Sequence, residues 1–202
     1  MSLEAAETEL HLYLEESLVP RFFQLLQRGF RLKVEAGRTV KSLLCEQLGL
    51  DPEYIERRIK TLFLDGKPVD DLNAAMIRNG STLALSAAMP GLVGAVLRSS
   101  SFFASLRSTI SHQEQAEAER PQEDGMVSLK LFNILLKEMG PPLLKRGIWI
   151  HGKDLQTFIE GHSDNFWARC KKATLDGKEI ALNKLPKMKW AGKEVFLYLR
   201  VD

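Results

Sequence analysis

A chain of 202 residues with 45% hydrophobic and 27% charged residues has the apolar content for one large core or two small ones, which excludes a disordered or fibrous protein. Its 28 Lys/Arg against 26 Asp/Glu leave a net charge of +2, which by itself singles out no class of partner. Two distant cysteines, Cys45 and Cys170, suggest neither a disulfide framework nor a thiolate metal cluster. No apolar run approaches the roughly 20 residues of a membrane span, and the acidic N-terminus lacks a signal core, so a soluble, cytoplasmic protein is expected.

The charge is unevenly spread. Residues 1–107 carry 13 Lys/Arg and 13 Asp/Glu, residues 108–126 one and five, and residues 127–202 fourteen and eight. The middle block, STISHQEQAEAERPQEDGM, is acidic, Gln-rich and poor in anything to bury, which is the composition of a linker. The expected division is a first domain over 8–95, an apolar arm and acidic linker over 96–126, and a small basic α+β domain over 127–202.

In chain order, Leu10, Leu12 and Leu14 alternate with His11, Tyr13 and Glu15, the period-2 pattern of a strand with one buried face. Val19 to Leu26 make a short turn or helix ending near Gly29. Phe30, Leu32 and Val34 form a second alternating strand, expected to pair with the first as a hairpin with a long connection. Thr39 is an N-cap candidate for a helix carrying Val40, Leu43, Leu44 and Leu48, closed by Gly49. Asp51-Pro52-Glu53 can open a further turn. Ile59, Thr61 and Phe63 mark a mostly buried strand, Asp65-Gly66 a tight turn, Asn79-Gly80 another turn, and residues 82–87 a closing strand. The order is ββαβ(β)β.

The runs "TVKSLLCEQLGL" and "IKTLFLDGKPVDDLNAAMIRNGSTLALSAAMPG" resemble the ThiS/MoaD sulfur-carrier branch of the ubiquitin-like β-grasp superfamily, at Thr39, Val40, Leu48, Gly49, Asp65, Gly66, Val69, Asn79, Gly80 and Leu85. A related ubiquitin-like domain found ahead of some nuclease domains is also similar. The resemblance covers roughly residues 10–94 and implies an N-terminal β-grasp domain joined to a small C-terminal α+β domain. Carrier chemistry in that family needs a terminal Gly-Gly whose carboxylate is adenylated, and no Gly-Gly occurs in this chain; cleavage after Gly91 or Gly94 would not create one. Fold follows from such a resemblance more readily than function.

Leu92, Val93, Val96, Leu97, Phe102 and Phe103, with Arg98 and Arg107, form an apolar arm suited to docking on a protein partner; the alternative is that it folds back on its own chain. In the second domain, Val127, Leu131, Ile134, Leu135 and Met139 fall on a helical stripe, and Gly140-Pro141-Pro142 is expected to end that helix. A second helix is expected over Asp154–Ile159, then a hairpin-like pair of strands over Ala173–Val201. Asp176-Gly177-Lys178-Glu179-Ile180 echoes Asp65-Gly66-Lys67-Pro68-Val69, as a degenerate second β-grasp would.

Arg169, Lys171, Lys172, Lys187 and Lys189, interleaved with Trp190, are the residues a nucleic-acid surface would use, lysines on phosphates and an aromatic on a base; a solvated lysine face over buried tryptophans is the competing expectation. His11, His112, His151 and His162 are scattered without metal-ligand spacing. Asp164 could orient His162, but no motif places a nucleophile beside it. No catalytic residue, metal or cofactor is therefore expected. The sequence points to a non-catalytic protein-interaction or scaffolding module, with a nucleic-acid-binding accessory protein and a processed sulfur or ubiquitin-like carrier as alternatives.

Overall fold

The computed structural model describes residues 6–88 and 123–201 and shows an α+β protein. Its strands and helices run β1 (Ala6–Leu14), α1 (Phe23–Arg28), β2 (Phe30–Ala36), α2 (Val40–Ser42), α3 (Pro52–Arg58), β3 (Thr61–Leu64), β4 (Lys67–Pro68), β5 (Thr82–Ser86), β6 (Glu123–Phe132), α4 (Ile134–Arg146), β7 (Ile148–His151), α5 (Gly152–Glu160), α6 (Asp164–Ala168), β8 (Cys170–Leu175), β9 (Lys178–Ile180) and β10 (Lys193–Val201). The contacts divide the chain into two compact units, Arg31–Leu135 and Met1–Phe30 with Leu136–Asp202. This partition is not sequential, as the composition-based division at 95 and 126 would be.

In the Arg31–Leu135 unit the strand order is β4-β3-β5-β6-β2, with β5 and β6 parallel at the centre and β3–β4 antiparallel. The helix after β2 begins where expected, because Thr39 Oγ1 accepts the Ser42 N–H at 3.1 Å, and α2 continues as a π-helical stretch, Leu43–Gln47. Asp51 caps α3, its Oδ1 accepting the Glu53 N–H at 2.7 Å, with Pro52 in the first turn where its missing N–H costs nothing. Leu32, Val34, Val40, Leu43, Leu44, Ile55, Leu62, Leu64, Leu83, Leu85, Val127, Leu129 and Leu131 are buried. The expected helix from Val127 is corrected: Val127, Leu129 and Leu131 are buried at period 2, a strand. Asn133, at φ 58°, turns the chain into α4, which runs through Gly140-Pro141-Pro142 instead of ending there.

In the other unit the order is β7-β10-β1-β8-β9. The expected hairpin between residues 10–14 and 30–34 does not form. β1 pairs in parallel with β10 over its whole length and antiparallel with β8; alternation reveals a strand and its buried face, but not its neighbour. The expected C-terminal pair of strands is resolved into a β8–β9 hairpin, while β10 lies between β1 and β7. Leu10, Leu12, Leu14, Val195, Leu197 and Leu199 are buried, with Phe22, Phe158, Trp167, Leu185 and Trp190. Phe22 and Phe158 stack at 4.7 Å.

The echo between Asp65-Gly66 and Asp176-Gly177 is geometric. All four residues have positive φ, 51° and 80° in one turn, 48° and 76° in the other, the two-residue hairpin geometry that Asp-Gly favours. In each, the aspartate clamps one residue of the adjacent central strand. Asp65 N donates to Thr82 O at 2.8 Å and its carboxylate accepts the Thr82 N–H at 2.6 Å. Asp176 N donates to Glu9 O at 2.9 Å and its carboxylate accepts the Glu9 N–H at 2.8 Å. By this criterion β1 holds in its unit the position that β5 holds in the other.

Candidate interaction face

Strand alternation seals one face of the β7-β10-β1-β8-β9 sheet and leaves the other to side chains that are half-buried or exposed, except on β7, where Trp149 is buried. On β1 the inward set is Thr8, Leu10, Leu12 and Leu14, and the outward set Glu7, Glu9, His11 and Tyr13. On β10, Val195, Leu197 and Leu199 point inward, and Glu194, Phe196, Tyr198 and Arg200 outward. Residues opposite one another in register share a face, so the outward side chains fall into four rows. Arg200, Tyr13 and Lys172 form the first, and Tyr198, His11, Thr174 and Glu179 the second. Trp149, Phe196 and Glu9 form the third, and His151, Glu194 and Glu7 the fourth.

The rows are held by specific contacts. Lys172 Nζ and the Arg200 guanidinium lie 5.8 and 5.9 Å from the Tyr13 ring centroid, within cation–π range. His11 stacks on Tyr198 at 5.2 Å and Trp149 on Phe196 at 5.3 Å. Phe196 is fixed from below by Gly147 (φ +94°), where a Cβ would come within 2.1 Å of its ring. His151 Nδ1 is 2.8 Å from Glu194 Oε1. Lys172 is bound by Glu179 at 2.8 Å, and that hydrogen bond and charge hold its ammonium above the ordinary lysine range. One end of the face thus carries Arg200 and a Lys172 held by Glu179, the middle aromatic rings, and the other end Glu7, Glu9 and a Glu194 held by His151. None of its side chains is a thiol or a serine.

The residues singled out in the sequence fare differently. Leu92, Val93, Val96, Leu97, Phe102 and Phe103 lie outside the described residues, as do Gly91 and Gly94. Arg169 is exposed, and its guanidinium donates to Ser17 Oγ at 3.0 Å and Glu15 Oε2 at 3.3 Å. Lys171 and Lys172 are exposed on β8; Lys187 and Lys189 are exposed on the segment that begins as a 3-10 turn at Leu182–Lys187, off the strands of the aromatic face. Trp190 is corrected as a stacking residue: it is 0% exposed and its Nε1–H donates to Leu185 O at 3.1 Å, so no ring face is open to a base. His162 is a packing residue, sandwiched by Phe158 at 4.4 Å and Phe166 at 4.2 Å, with Nδ1 2.7 Å from Phe158 O. Burial pushes the Cys170 thiol up to about 11, so it stays protonated and inert near neutral pH.

A surface depression along α3 in the Arg31–Leu135 unit is lined by Asp51, Glu53, Tyr54, Arg57 and Arg58, with Arg57 held by Glu53 at 3.0 Å; no thiol, serine or histidine lines it. Among the described residues no group of three or more His, Cys, Asp and Glu is placed to hold a metal ion, and no helix is long and apolar enough to cross a membrane. No protein-family profile, no curated protein and no solved structure matches the chain.

The aromatic face was missed in the sequence because its residues occupy the solvent side of alternating strands, normally read as filler. The available signal was His11-x-Tyr13 and Phe196-x-Tyr198, aromatic rings on the side where polar residues are expected.

Proposed function

We propose that this protein is a non-catalytic interaction module that binds protein through the outward face of its β7-β10-β1-β8-β9 sheet. The observation that carries the reading is the block of Tyr13, Phe196 and Tyr198 flanked by Arg200. Tyr and Arg are among the residue types enriched in protein–protein hot spots, and charges of both signs border the block. A polyanion would meet Glu7, Glu9 and Glu194 at one end of the same face, which weighs against the nucleic-acid alternative. So does the burial of Trp190.

A ubiquitin-like ancestry suits this reading. The order β4-β3-β5-β6-β2, a central parallel pair and a helix between β2 and β3 are what a β-grasp requires, with β6 in the place of the first strand. Such a module, lacking Gly-Gly, would use the scaffold without carrier chemistry. Two separate free thiols suit a reducing compartment such as the cytoplasm.

The test is capture from nuclease-treated native lysate by the tagged full chain and by Tyr198→Ala and Arg200→Glu variants, read by quantitative mass spectrometry. Proteins held by the parent chain and lost from both variants are the expected result. An unchanged capture profile, or binding that disappears with nuclease alone, sinks the proposal.

A further inference from the structure

We propose that the Asn79-Gly80 turn is a spontaneous deamidation site, held closed by the seating of β6 and opened by local release of that strand. Asn79 is the one asparagine of the chain that glycine follows. Glycine has no side chain to shield its backbone nitrogen, so the Gly80 nitrogen is a ready nucleophile towards the neighbouring carboxamide. It loses its proton and bonds to Asn79 Cγ, and the carboxamide nitrogen leaves as ammonia. Water then opens the resulting succinimide at either carbonyl, giving aspartate or isoaspartate. Both residues are exposed, so water, the other reactant, is at hand.

The folded geometry blocks the first of these steps. Ser81 N donates to Arg78 O at 3.0 Å, and Gly80 has a φ of +85° while Asn79 is not among the residues of positive φ, which makes residues 78–81 a type II turn. The second residue of such a turn has a ψ of about +120°. Closing the succinimide ring needs the Cα–Cβ and C–N bonds of Asn79 nearly eclipsed, which for an L-residue lies at the opposite sign of ψ. Rotation to that conformation is resisted by one residue of β6 that holds both reacting groups. Asn79 Oδ1 accepts the Met126 N–H at 2.9 Å, and Gly80 N donates to Met126 O at 2.7 Å. Gly125 packs beside them so closely that a Cβ on it would lie 3.3 Å from Asn79 Cβ and 2.9 Å from Ala36 Cβ.

The two products differ in what they do to β6. Aspartate keeps an oxygen for the Met126 N–H. Isoaspartate carries the main chain through Cβ and Cγ, one carbon longer, so its oxygen and the Gly80 N–H no longer match Met126, and the release of the strand becomes permanent. The turns at Asp65-Gly66 and Asp176-Gly177 lack this chemistry at comparable speed, because an ionised carboxylate is a poor electrophile, and their isomerisation would leave the mass unchanged.

The full chain in mildly alkaline buffer, with graded denaturant, is compared with a synthetic peptide of residues 74–85, and conversion of Asn79 is followed by peptide mapping that separates aspartate from isoaspartate. Conversion in the folded chain is expected to be slower than in the peptide by about a hundredfold or more, and to rise at denaturant concentrations below the global unfolding midpoint. Gly125→Val, with its fold checked by circular dichroism, should convert several-fold faster than the parent. Amide exchange at Met126 should be faster in the isoaspartate form than in the unmodified chain. A folded parent that keeps pace with the peptide overturns the proposal, as does a chain that shows no conversion at Asn79 even when denatured. Conversion that rises only with global unfolding, which is read on the parent whether or not Gly125→Val folds, overturns the role of β6.

Discussion

At Gly152 the packing leaves room for nothing larger. A Cβ on Gly152 would sit 1.8 Å from the carbonyl oxygen of Trp190, which is backbone and cannot swing aside, so Gly152→Ala must push α5 and the segment carrying Trp190 apart. We expect a loss of about 3 kcal/mol or more, read as a drop in the denaturation midpoint. Gly177→Ala is the informative contrast. Nothing lies within 4 Å of its Cβ position and only its φ of +76° is at issue, so it should cost about 1 kcal/mol. Cys170 gives a prediction in pH. Its thiol is raised to about 11 from 9.0 by burial, so the unfolded chain ionises first. The stability it contributes is fully present below about pH 9 and is lost as pH rises towards 11. The parent chain should lose stability over this window faster than Cys170→Ala, measured by denaturation midpoints on either side of about pH 9, with equal slopes refuting the assignment.

Among the elements, the paired aspartate turns carry the most information. Asp176 reaches across to both backbone groups of Glu9 and so fixes where β1 sits along β8. Asp176→Ala removes one of these bonds and the turn's preference for positive φ, an expected loss of about 1 to 2 kcal/mol. Faster amide exchange at Glu9 would be the local readout, and an unchanged rate would show that the clamp is idle. These turns were legible in the sequence because Asp-Gly has a local conformational reason to exist. So were the cap at Thr39, the turn that opens at Asp51-Pro52, and the alternation of β1 and β2. What the sequence withheld was non-local. Val127, Leu131, Ile134, Leu135 and Met139 satisfy a helical period, and Val127, Leu129 and Leu131 satisfy a strand period; the choice between them falls to the neighbouring strand β5, to which Leu129 and Leu131 are registered. Gly140 and the two prolines read as a stop, yet α4 continues through them. Gly140 packs where a Cβ would lie 2.9 Å from the Phe23 ring and 3.0 Å from Leu26, so the tight approach to α1 is what the glycine serves. Of the interaction face, only Lys172 was picked out, by charge alone.

For the molecule as a whole, the sheet pairings mean that neither sequence half owns a complete unit. β1 has its neighbours in β8 and β10, both after residue 169, and β6 has β5 beside it, before residue 87. Fragments 1–88 and 123–202 made separately should therefore lack a cooperative unfolding transition. Mixed or co-expressed, they should form a one-to-one complex with one, observed by calorimetry and gel filtration. A fragment 1–88 that melts cooperatively by itself would refute the interleaving.

The register of β1 on β10 also sets a clock. Between Leu14 and Lys193, which begins the strand β1 must join, 178 residues intervene; at the roughly 5–20 residues per second of protein synthesis, β1 waits on the order of ten to forty seconds for its parallel neighbour to leave the ribosome. Throughout that interval its Leu10, Leu12 and Leu14 face has no finished sheet to enter. The nascent chain is thus exposed to premature pairing in a way that the finished protein is not, and slower translation lengthens that exposure.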